Sequence, residues 1–267
     1  MKFIKLTFAI MLSLTILSCT SDDDSNTEDL TGQTGNLVLK FDNGVGDQDF
    51  IFGTTYNKSN GESYSLTTLK YLISNVRFTD ENGNEFMFPH DDNVFIIDEA
   101  TANNAGEIWL TLNNVDAANY TSVTFGIGID QERYALGAEG QGDFLTEAAD
   151  AGMMWSWATG FRFTRFDGTY SSATITDEAL NIHMGSVGTS LDNYREVTLS
   201  LPNNARVRQT TTPEVHIKAD IAKVFDSDTT SINFADGYSQ VHTNTETTTV
   251  IANNMSTIFT VHHVHNE

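Results

Sequence analysis

Three imidazoles crowd the segment Thr260-Val261-His262-His263-Val264-His265. On a β-strand the side chains alternate between faces, so His263 and His265 project from one side and can approach one ion. Imidazole nitrogen suits borderline metals such as copper and zinc. A chelated ion needs at least one further ligand, and His183, His216 and Met154 are the candidates. His183 sits in Leu180-Asn181-Ile182-His183-Met184, where Leu180, Ile182 and Met184 take the opposite face. His216 likewise stands outside the face formed by Val215, Ile217, Ala219 and Ile221. The plainer reading makes each a half-exposed strand histidine. His90 reads as a turn residue, and His242 as a surface residue in a threonine-rich stretch.

A second candidate is aromatic. In Met153-Met154-Trp155-Ser156-Trp157-Ala158-Thr159-Gly160-Phe161-Arg162-Phe163, strict alternation puts Trp155 and Trp157 on one face with Phe161 and Phe163. Such a row is sandwich core, or the wall of a site where the strand meets a loop. No Gly-rich phosphate loop, G-x-S-x-G elbow or H-E-x-x-H occurs. In so acidic a chain no single carboxylate pair can be picked out as a hydrolytic dyad. No catalytic residue is assigned, and the chain reads as a binding protein rather than an enzyme.

The elements that must position these groups are strands. Leu37, Leu39 and Phe41 alternate with Val38 and Lys40. Residues Leu69 to Phe78 form a strand-like run, closed by the Asp80-Glu81-Asn82-Gly83-Asn84 turn and a partner at Glu85 to Phe88. Further strands are expected at Val94–Ile97, Ile108–Leu112, Ser122–Ile129, Phe161–Phe166, Ala179–Met184, Glu196–Leu201, Val215–Val224 and Thr257–Val264. Asp143 to Met153 is the best short helix. The fold class is all-β, a single antiparallel β-sandwich domain over residues 36–267.

The first residues are excluded from that domain. Lys2 and Lys5 precede the apolar run Leu6 to Leu17, and Ile16-Leu17-Ser18-Cys19 reads as a lipobox. Residues 1–18 are then a lipoprotein signal peptide. Residues 19–35 are the lipidated Cys19 and a flexible acidic tether, which continues through Asp22, Asp23, Asp24, Glu28 and Asp29. Cys19 is the sole cysteine, which excludes an internal disulfide. The expected place is the outer membrane, periplasmic or surface-exposed, held through the lipid anchor alone. With 14 basic against 36 acidic residues and a net charge of -22, the surface repels nucleic acid and anionic lipid.

Several segments in order carry a resemblance: "LTTLKYLISNVRFTDENG" (66–83), "FIIDEA" (95–100), "YTSVTFGIGID" (120–130), "GMMWSWATGFRFTRFDG" (152–168), "NIHMGSVG" (181–188) and "PEVHIKADIAKVF" (213–225). Together they resemble the MbnP-like family of copper-binding proteins. The resemblance implies a periplasmic or surface β-sandwich that binds copper, with His183 as a ligand. It also implies a di-haem partner of the cytochrome c peroxidase type, which oxidises a tryptophan to kynurenine. If that chemistry transfers, Trp155 or Trp157 is the modified residue. His216, His263 and His265 are added to the ligand set from spacing and facing alone. Histidine ligation predicts metal release as the pH drops through roughly 6. The alternative is a surface module that recognises glycan or protein without metal, using its tryptophans as a stacking platform.

Overall fold

The computed structural model describes residues 28–156, 160–188, 190–243 and 245–267. Cys19, the signal segment and Trp157 lie outside the described residues. Two sheets form the body. The first orders β14 (Phe259–Asn266), β12 (Pro213–Asp220), β1 (Thr34–Val45) and β2 (Gln48–Asp49), with β7 (Glu107–Asp116) also pairing β1. The second orders β11 (Arg195–Arg206), β8 (Asn119–Ile127), β4 (Ser63–Asp80), β9 (Thr164–Ser171), β10 (Glu178–Ile182) and β13 (Gln240–Val241). The short strands β3 (Tyr56–Asn57), β5 (Glu85–Met87) and β6 (Val94–Asp98) pair with the 18-residue β4. Pairing is mostly antiparallel, with β1–β12 and β10–β13 parallel. The expected all-β sandwich is the observed fold.

The period-two pattern explains why the sheets face each other. Leu37, Leu39 and Phe41 of β1 and Val215, Ile217 and Ala219 of β12 are buried, as are Val123, Phe125 and Ile127 of β8. Burial of alternate apolar side chains leaves the intervening residues on the outer face. Four rings join the two sheets. Phe259 meets Phe125 edge-on at 5.2 Å and Tyr71 at 5.8 Å, and Phe41 meets Phe125 at 5.9 Å. Such edge-to-face packing adds to the burial of the rings themselves. This cluster lies on the inner side of β1 and β14, so it holds rigid the strands whose outer side carries the histidines.

Three local expectations are corrected. The strand expected to run to Val224 stops at Asp220 and gives way to a short helix, α3 (Ala222–Phe225), following α1 (Gln131–Ala135) and α2 (Phe144–Asp150). The strand expected from Phe161 begins at Thr164. The segment before it is a loop with a single Met154–Phe161 bridge, so strict alternation of Trp155, Phe161 and Phe163 does not apply. Also, α4 (Thr245–Met255) is not expected from the sequence, because the four threonines of TETTTVIANNM are weak helix formers. Its buried residues Thr248, Ile251, Ala252 and Met255 recur at helical spacing, and tertiary burial of that stripe overrides weak propensity.

Candidate metal centre

His216 lies on β12 between buried Val215 and Ile217, and so points outward. Its partner across the antiparallel ladder is His263 of β14. Directly opposed residues on one face have neighbouring Cβ atoms, which brings the two rings together at 4.8 Å.

His262 joins them through a β-bulge. The register passes from His216↔His263 to Ile217↔Val261, leaving His262 as the extra residue. The core side of β14 steps from Phe259 to Val261 and then by three residues to buried Val264. Both His262 and His263 are therefore left on the outer face. Their Nδ1 atoms are 2.7 Å apart, and the His262 ring is 5.6 Å from that of His216. Among the described residues, His216, His262 and His263 form the one group of three potential ligands, with the ligating atoms all within 4.8 Å of one another. His265 follows on the same face. Its ring is 4.8 Å from His263, and its Nδ1 is 3.8 Å from Glu267 Oε1.

The surroundings are ionic and partly dry. His216 Nε2 is 3.0 Å from Asp42 Oδ2. One row across the sheet reads Trp109, Lys40, His216, His263. Lys40 pairs with Glu214 at 2.5 Å and stands 4.2 Å over the half-exposed Trp109 ring. Burial depresses the pKa of His263, and the neighbouring imidazoles of His216, His262 and His265 and the Lys40 cation push it further down. A neutral imidazole is the form a metal binds.

His183 does not join this group. It stands at the end of β10 in the other sheet, its backbone N–H donating to Val241. Its Nε2 is 2.5 Å from Asp167 Oδ1, and Asp167 also accepts from Arg165 at 2.8 Å. Burial opposes ionisation of Asp167, but the hydrogen bonds and charges of His183 and Arg165 outweigh it and hold its carboxyl below the usual range. The His242 ring is 5.2 Å from His183, and burial, then His183 and Arg162, depress its pKa. The four histidines expected to share an ion thus divide between two sheets: His216, His263 and His265 on one, His183 on the other. The physical reason is that facing was read strand by strand, whereas pairing decides which faces meet.

Trp155 is buried, with Arg162 5.1 Å over its ring. Gly185, two residues after His183, has no room for a side chain: a Cβ there would come 2.3 Å from the Phe161 carbonyl oxygen and 3.3 Å from Trp155. Trp155 therefore packs beside Gly185 and is not an exposed stacking platform. Met154 bridges to Phe161 and packs against the core, apart from the β12–β14 cluster.

Two functional candidates escaped the sequence. His262 was set on the wrong face because alternation assumes no bulge. The Val261–Val264 spacing of three was the available signal. His242 carried no signal, since its partner is 59 residues away by chain.

No curated protein sequence matches the chain. Among solved structures, MbnP from Methylosinus trichosporium is similar, with a TM-score of 0.44 and 13% identity over 72% of this chain and 78% of that one. The MbnP family model matches residues 34–257, from β1 through α4 and ending before β14, and the chain belongs to that family.

Proposed function

We propose that this chain is an extracytoplasmic lipoprotein that holds copper for acquisition or storage, acting by binding rather than by catalysis. The observation that carries the reading is the convergence of His216, His262 and His263, with all ligating atoms within 4.8 Å. Three imidazoles on two hydrogen-bonded strands, backed by an aromatic core, are a preorganised set for a borderline metal. Copper stands highest among divalent first-row ions for such donors. A bound ion would draw its ligands from these three residues, with His265 beside them. Family membership and the lipobox at Cys19 support the copper and the location.

The test is metal analysis of protein purified from copper-replete cells, followed by competition titration. Stoichiometric copper that is lost in a His216→Ala plus His263→Ala variant is expected. A wild-type chain that takes up no copper sinks the reading. A second reading, recognition of glycan or protein without metal, is favoured by the half-exposed Trp109 on the same outer face. It requires ligand affinity to be unchanged by chelators and by the double substitution.

A further inference from the structure

A neutral imidazole offers a metal only its unprotonated nitrogen, and the hydrogen bond made by the other nitrogen decides which that is. For His216 the deciding group is Asp42. Its Oδ2 lies 3.0 Å from His216 Nε2. A carboxylate accepts and does not donate, so Nε2 carries the proton and Nδ1 keeps the lone pair.

The contact has structural causes. Strands β1 and β12 run parallel, with Lys40 opposite His216 and Asp42 opposite Lys218. Asp42 is therefore one diagonal step from His216 on the same outer face. The side chains are 12% and 11% exposed, so water competes weakly for either. Lys218, a cation near this oxygen, has its Nζ at 3.9 Å, beyond hydrogen-bond reach. Across the ladder, His262 and His263 already turn their Nδ1 atoms toward each other.

The geometry points to Asp42 as the positioning residue of this centre: it accepts from His216 Nε2 and so fixes His216 as an Nδ1 ligand. This rests on the copper reading above. A carboxylate behind a ligating histidine fixes the ring and raises its basicity, and removing such a partner typically lowers metal affinity roughly 10–100-fold.

The experiment pairs nitrogen NMR of the metal-free protein with copper competition titrations on the wild type, Asp42→Asn and Asp42→Ala. In wild type and Asp42→Asn, His216 is expected with its proton on Nε2, because the asparagine Oδ1 still accepts. In Asp42→Ala the two tautomers are expected to mix, and copper affinity to fall roughly 10–100-fold. Asp42→Asn is expected to recover most of that loss. In a His216→Ala background, Asp42→Ala is expected to add little, since both act through one ring.

A wild-type His216 protonated on Nδ1 would overturn the inference. So would copper binding by Asp42→Ala equal to wild type, or Asp42→Asn binding as poorly as Asp42→Ala. If Asp42→Ala does not fold, the wild-type tautomer and the Asp42→Asn affinity still decide. Wild-type protein that takes up no copper overturns the proposed function and this role with it. Copper uptake that ignores Asp42 overturns only the positioning role.

Discussion

The Nδ1 atoms of His262 and His263 stand 2.7 Å apart, although neighbouring residues of a regular strand point to opposite faces. The bulge in β14 makes the difference. It leaves both rings outside while Val261 and Val264 keep to the core side. Bulges re-aim side chains at functional sites, and here one converts a two-histidine row into a three-histidine cluster.

Deleting His262 tests that conversion directly. The strand then regains strict alternation, and His263 still faces His216. The protein is expected to fold, yet to lose more than roughly 100-fold in copper affinity, beyond the effect ascribed to outer partners of a ligand. His265→Ala is expected to cost far less, since His265 stands outside the group of three. Competition titrations measure both. Equal affinity in the deletion variant would remove His262 from the site.

The pH dependence follows from His263. Its pKa lies below the ordinary 6.5, so the ring stays neutral while a free imidazole is already gaining protons. Protons compete with the metal only below that depressed value. Copper release should therefore begin below 6.5 and lag behind that of an unperturbed histidine site. A release midpoint above 6.5 would contradict the burial and like-charge repulsion on which this rests.

Glu99 supplies a stability prediction. Burial raises its pKa from 4.5 to about 7, with Asp42, Asp98 and Asp49 adding to the rise against a hydrogen bond from Asn43. Below pH 4.5 the folded and unfolded chains both hold this proton. As the pH climbs toward 7 the unfolded chain ionises first, and folding loses free energy through that window. Above 7 the cost is complete, at about 1–3 kcal/mol. Glu99→Gln keeps an acceptor for Asn43 and should raise the thermal midpoint at pH 8, with little effect at pH 4. A variant less stable than wild type at pH 8 would refute this.

The aromatic backing of the site can be tested separately. Phe259 is 5% exposed and meets Phe41, Tyr71 and Phe125. Phe259→Ala should destabilise the fold by about 3–5 kcal/mol in denaturant titrations, the usual cost of emptying a large aromatic site. Because Phe259 opens β14, copper affinity should fall in parallel. Loss of stability with unchanged affinity would show the cluster to be independent of that packing.

Trp155 is 5% exposed beneath Arg162, where an external oxidant has little access to its ring. In protein taken from the native host, Trp155 is expected at its unmodified mass when its peptide is fragmented. A mass gain matching kynurenine, localised to Trp155 by fragmentation, would reverse this.

What the sequence by itself determined is what alternation and local chemistry can express. Leu37, Leu39 and Phe41, or Val215, Ile217 and Ala219, declare a buried face, and they thereby place Lys40 and His216 outside it. His263 and His265 were legible together for the same reason. Tertiary structure decided which outer faces meet. His216 and Asp42 are 174 residues apart by chain and become neighbours only because β12 lies parallel to β1. His183 went to the other sheet, beside Asp167 and His242. His262 turned outward because Val264, not His263, had to follow Val261 into the core. Burial of apolar side chains dominates the energetics, so it sets strand pairing and bulges, and the histidines take the positions that this leaves to them.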